Sequence, residues 1–89
     1  MYKKLNSIPY GQVCVYEYAN GDIDLVSYRT TVITIRNGWL VCNGLYSRTT
    51  INHIGKFMRE YDLGTYYLAK HLYLNGLKMN IYTGEVLPL

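Results

Sequence analysis

Proline, cysteine, histidine and acid are all scarce in this chain of 89 residues, which has two, two, two and six of them respectively. So small a stock of titratable side chains leaves little from which to assemble a metal cage, an acid–base pair or an activated nucleophile. His53 and His71 are well separated, and neither has a His, Cys or carboxylate at the i+4 spacing that puts two ligands on one helical face. Ser47 and His53 lie on successive turns of a candidate helix with no acid nearby in sequence. No metal, no cofactor and no enzymatic role is expected. Cys14 and Cys42 are not close-spaced as zinc ligands are, and both are expected to be buried, reduced thiols. A bridge stays open if their strands are neighbours. No stretch approaches the roughly 20 apolar residues of a membrane span, so no membrane partner is expected. Lys3 and Lys4 are followed by Asn6, Ser7 and Pro9 where an export signal needs an apolar run, which points to a cytoplasmic protein.

The hydrophobic fraction of 49% against 17% charged residues is that of a globular chain, and its length suits one domain over residues 1–89. Aromatic character comes from tyrosine, with 11 residues against one Phe and one Trp. Tyrosine keeps a hydroxyl able to meet water, so it suits half-buried strand faces and binding surfaces alike. The net charge of +3 is modest but unevenly distributed. No Asp or Glu occurs from Leu25 to Arg59, whereas Arg29, Arg36, Arg48, Lys56 and Arg59 all do. A local positive face follows.

Four Asn-Gly pairs, at Asn20, Asn37, Asn43 and Asn75, offer the positive φ that tight turns need. Gln12 to Ala19 alternates as a strand, and so does Asp22 to Arg36, whose length implies a bulge or bend near Arg29 to Thr31 that gives two strand segments. Asn37-Gly38 returns the chain into Trp39 to Cys42. From Ile51 the period changes: Ile51, Ile54, Met58 and Tyr61 mark one face of a helix over about Thr49 to Asp62. Ser47, Thr49 or Thr50 can cap it, and Arg48, Asn52, Lys56 and Arg59 form a stripe on its opposite face. A short second helix through Leu74, with a strand as the alternative, precedes a closing strand from Leu77 to Tyr82. The tail from Gly84 to Leu89 is expected to be loose or partner-bound. The expected fold is α+β: a small antiparallel sheet of four to five strands packed on one main helix, Ile51, Ile54, Met58 and Tyr61 lying against Val13, Val15, Leu25, Val32 and Val41.

The densest polar cluster is Tyr46, Ser47, Arg48, Thr49 and Thr50, followed by Asn52 and His53, at the start of that helix. Free backbone N–H groups, three hydroxyls, Arg48 and a protonatable His53 form a plausible anion site; the plain alternative is capping and packing. Ser27-Tyr28-Arg29-Thr30-Thr31-Val32 and Tyr46-Ser47-Arg48-Thr49-Thr50-Ile51-Asn52-His53-Ile54 fit the patterns S-Y-x-T-x-V and Y-S-x-T-T-x-x-H-I. In these, over about Val13 to Tyr61, the chain resembles a family of small uncharacterised proteins of bacteriophages and prokaryotic genomes. The resemblance implies a phage or mobile-element origin and a host cytoplasm, without an activity.

The leading expectation is an interaction protein that binds and inhibits a host protein or protein–nucleic acid complex, in an anti-defence or anti-CRISPR role. Its basic, tyrosine-rich surface comprises Tyr28, Arg29, Tyr46, Ser47, Arg48, Thr49, Thr50, Asn52, His53, Lys56 and Arg59. Direct nucleic-acid binding through Arg48, Lys56 and Arg59 is one alternative, and a nucleotide phosphate held at Ser47 to Thr50 another. A small core with open sheet edges suggests a homo-oligomer.

Overall fold

The computed structural model describes residues 1–8 and 11–89; Pro9 and Tyr10, at the end of the stretch read above for an export signal, lie outside the described residues. Seven strands form one antiparallel sheet in sequence order: β1 (Tyr2–Lys3), β2 (Val13–Glu17), β3 (Ile23–Ser27), β4 (Thr30–Arg36), β5 (Trp39–Cys42), β6 (Leu77–Asn80) and β7 (Val86–Pro88). Two helices, α1 (Arg48–Glu60) and α2 (Tyr66–Leu74), connect β5 to β6. The expected four- to five-stranded sheet on one main helix is therefore corrected to a mostly β fold of seven strands with two short helices. The extra strands are edge pieces of two and three residues, too short to show alternation. Tyr2 pairs with Tyr16 across β1 and β2, and Leu77 with Pro88 across β6 and β7. The tail is accordingly tied into the sheet, with Leu89 N donating to Gly76 O at 2.9 Å.

The long run from Asp22 to Arg36 divides into two strand segments, β3 and β4, but at a tight turn rather than at a bulge or bend near Arg29 to Thr31. Tyr28 and Arg29 both take positive φ, 50° and 68°, and reverse the chain between β3 and β4. Asn37-Gly38 does the same between β4 and β5 with φ of 52° and 83°, as that pair predicts. Asn43-Gly44 makes no such turn. Gly44 instead lies against the Tyr46 ring, which a Cβ there would meet at 2.6 Å and push aside. A register shift beside Leu25 and Val26 places both Val32 and Ile33 in the core.

Both helices pack on one face of the sheet, α1 across β3 and β4 and α2 across β5 and β6. Val13, Val15, Leu25, Ile33, Ile35 and Leu40 meet Ile54, Phe57, Met58, Ala69 and Leu72 there, all essentially fully buried. The inward side of α1 is thus Ile54, Phe57 and Met58 with Thr50 and His53; Ile51 and Tyr61 sit at its margins. Val41 pairs with Thr34 and belongs to the opposite face, which removes it from the expected core. Cys14 pairs with Val26 and Cys42 with Ile33, so the thiols are on opposite faces of β2 and β5 with two strands between them. At about 4.8 Å per strand that separation is beyond a disulfide. Both cysteines are free, Cys42 buried and Cys14 half-buried.

Candidate functional site

The start of α1 joins the two sequence motifs. Ser47 has extended backbone (φ −137°, ψ 168°) and its Oγ accepts from Thr50 N at 3.2 Å, so Ser47 rather than Thr49 or Thr50 is the cap. The Ser47 hydroxyl also donates to Thr50 Oγ1 at 3.2 Å, and that oxygen lies 3.4 Å from Ser27 Oγ. Ser27 in turn is hydrogen-bonded to His53 Nδ1 at 2.8 Å. The Tyr28 ring stands 5.9 Å from the His53 ring, inclined at 32°. Ser27 from the first motif and Ser47, Thr50 and His53 from the second therefore form one hydroxyl–imidazole chain that fastens the helix start to the end of β3.

Three of its four members are interior, and Ser47 is exposed. Ser27, Thr50 and His53 are 2%, 3% and 4% exposed, and burial pushes the His53 imidazole below its ordinary value. The imidazole is held neutral, and neither Ser27 nor His53 presents a reacting atom to a ligand. Ser47, considered from sequence as a partner for His53, reaches it only through Thr50 and Ser27. Ser27 was absent from the candidate residues; the one signal for it was its place in the first motif, since a serine ending a strand looks like any turn residue. Among the described residues no three His, Cys, Asp or Glu side chains gather as a metal-ligand set.

The remaining candidates are outside. Tyr28 and Tyr46 are 51% and 62% exposed, and Arg29, Arg48, Thr49, Asn52 and Arg59 are exposed as well. Arg48, Asn52, Lys56 and Arg59 follow one another at helical spacing along α1, a row of about 16 Å. Among the described residues none of the three cations forms an ion pair. Glu60, the nearest acid in sequence, accepts instead from the backbone N–H groups of Asn6 and Ser7 at 2.8 and 3.3 Å. Asn52, Lys56 and Arg59 border a groove of about 250 Å³ whose far wall is Tyr66 and Tyr67 of α2. Lys56 and Arg59 also border a larger hollow, about 500 Å³, with Asn6, Ser7 and Glu60. Tyr66 and Tyr67 were not expected at the site; the doubt over whether their segment was helix or strand hid that they line the same groove.

A family profile matches residues 1–73, from β1 through most of α2. The chain belongs to DUF8033, a family of unknown function. The DUF8033 match extends beyond Val13 to Tyr61 on both sides, and takes in the hydroxyl–imidazole chain, the α1 stripe and the tyrosines of α2. No curated protein and no solved structure matches the chain. Among the described residues no helix is long and apolar enough to cross a membrane.

Proposed function

We propose that this DUF8033 protein is a binding module that engages nucleic acid by its phosphate backbone through the outer face of α1. The observation that carries this reading is the row of exposed Arg48 and Arg59 with half-buried Lys56 between them, along one helix face without an acidic partner among the described residues. Cations left unpaired on a rigid element attract polyanions and release counterions from them. A row of about 16 Å spans about five steps of a nucleic-acid strand at 3.4 Å each. Asn52 between the cations supplies a neutral donor, and Tyr66 and Tyr67 give the groove an aromatic wall. Thr49 and Arg48 are the free polar groups at the helix start, because Ser47 and Thr50 are engaged with each other.

A second reading draws on the exposed rings of Tyr28, Tyr46 and Tyr67, at 51%, 62% and 75%. Exposed tyrosines beside a basic row favour docking on a host protein–nucleic acid complex. With the phage or mobile-element origin that the sequence resemblance implies, the module would act in the host cytoplasm by blocking such a complex, in an anti-defence role. In this reading the nucleic acid of the target meets α1 and the tyrosines meet its protein.

The test is the salt dependence of binding to a 16-base-pair duplex, followed by anisotropy from 30 to 200 mM salt. Three phosphate contacts predict a slope of log K on log salt near −2.7, from about −0.9 per contact. A slope near zero, or no binding at the lowest salt, would remove the proposal.

A further inference from the structure

The face of the sheet turned away from both helices carries a row of aromatic rings. Tyr2 pairs with Tyr16, and their rings meet edge to face at 4.5 Å; the Tyr18 ring lies 4.5 Å from that of Tyr16. Trp39 lies on the same face further along, since Arg36 pairs with Trp39 and Tyr16 is in register with Asp24, Thr34 and Val41. Strand register fixes this placement: Val13, Val15, Leu25, Ile33 and Leu40 fill the helix side, and the alternate positions face outward. Of the outward residues of the central strands, Cys14, Tyr16, Val26, Thr34, Trp39 and Val41 are half-buried, Asp24 is buried and Arg36 is exposed. Among the described residues no element lies over them.

Cations accompany the rings. The Arg36 guanidinium is 5.2 Å from the Tyr18 ring centre, and Lys78 Nζ is 4.8 Å from that of Trp39. At the other end Lys4 and Arg29 border a hollow of about 460 Å³ whose walls include Tyr2, Cys14, Val26 and Thr31. By alternation from Leu87, the register partner of Lys78, Glu85 also reaches this face; its other acids are Asp22 and Asp24. Both are held by Arg36, whose Nε and Nη2 lie 3.9 and 2.8 Å from their carboxylates, and Tyr18 also donates to Asp24 at 2.7 Å. Among the described residues Lys4, Arg29 and Lys78 form no ion pair, Lys4 donating to the carbonyls of Gly11 and Val13 at 3.1 and 3.3 Å, so the face is net positive. A second copy of the same face would meet it with like charge, which disfavours self-pairing. A flat, half-exposed row of rings edged by cations suits a ligand that has π-faces and a negative backbone.

We infer that this open face is a stacking platform for single-stranded nucleic acid, with bases on Tyr16 and Trp39 and phosphates near Arg29, Lys4 and Lys78. The platform lies on the opposite side of the sheet from α1 and does not depend on α1 binding a duplex. It gives the molecule two nucleic-acid surfaces of different preference: phosphates on the helix side, unpaired bases on the sheet side.

Trp39 is the only tryptophan in the chain, so its emission reports on this face alone. The experiment titrates the full chain with a 12-nucleotide oligothymidine, an abasic 12-mer with the same phosphates, a 12-base-pair duplex and polyglutamate. Oligothymidine is expected to quench Trp39 by at least half, and the other three to leave it unchanged. Tyr16→Leu should weaken oligothymidine binding at least tenfold, whereas Tyr16→Phe, which keeps the ring, should bind as the parent does. A chain carrying Arg48→Ala, Lys56→Ala and Arg59→Ala should still be quenched, which separates this proposal from the one for α1. Equal quenching by the abasic strand or by polyglutamate would overturn the platform, and so would unchanged emission at 100 µM oligothymidine. Light scattering showing a dimer in which Trp39 is shielded before any ligand is added would overturn it too, by giving the face to a second copy.

Discussion

Ser27 and His53, 2.8 Å apart and nearly sealed from water, are the residues whose roles changed most between sequence and structure. His53 was legible as a noteworthy side chain because it is one of only two histidines and stands beside a hydroxyl cluster. Its partner was not, because the contact joins residues 26 positions apart and depends on how α1 crosses β3. Ser27→Ala would leave a buried imidazole nitrogen without its partner, and is expected to cost about 1–3 kcal/mol in urea unfolding. Burial depresses the His53 imidazole in the folded chain, whereas the unfolded chain keeps the ordinary value of 6.5. Below that pH the unfolded state takes up the proton more readily, so stability is complete above about pH 6.5 and falls as pH drops through it. Melting between pH 7.5 and 5.5 should show this fall, and His53→Gln should flatten it. At the other end of α1, burial and the hydrogen bond to Glu17 push the Tyr61 phenol up to about 12. Its share of stability is present below pH 10 and is lost as pH rises through 12, so Tyr61→Phe should make alkaline melting less steep in that range.

At the level of elements, helix starts and Asn-Gly hairpins were readable because their chemistry is local, whereas the Tyr28-Arg29 turn was not. Neither residue favours positive φ, so the sequence around it suggests a bulge or bend between two strand segments rather than a tight turn. The turn persists because β3 and β4 pair on either side of it and Tyr28 rests near His53. Arg29→Gly removes the left-handed penalty of about 1–2 kcal/mol and adds back part of it as chain entropy. A gain of about 0.5–1 kcal/mol in urea unfolding is expected. Ser47→Ala, which deletes the cap of α1, should cost about 1 kcal/mol, whereas Thr49→Ala should stay within about 0.5 kcal/mol. Equal losses for the two would show that the helix starts elsewhere. Phe57, fully buried, escaped the periodic reading because Ile51, Ile54, Met58 and Tyr61 already completed a helical face centred one residue away.

Across the whole molecule, the meander from β2 to β5 and the closing strand β6 were visible in the sequence, and the two edge strands β1 and β7 were not. Edge strands of two and three residues carry no alternation, and their pairing is decided by neighbours that the chain reaches only after folding. The same tertiary placement sorts the candidate residues into two groups. Ser47, Thr50 and His53, with Ser27, hold helix to sheet, whereas Arg48, Asn52, Lys56 and Arg59 face outward along α1. The most direct test of that division measures melting and duplex binding on the same two variants. The chain carrying Arg48→Ala, Lys56→Ala and Arg59→Ala should melt within a few degrees of the parent and bind a 16-base-pair duplex at least tenfold more weakly in 50 mM salt. Ser27→Ala should melt well below the parent and, at a temperature where it is still folded, bind as the parent does. Undiminished duplex binding by the triple variant would contradict the account.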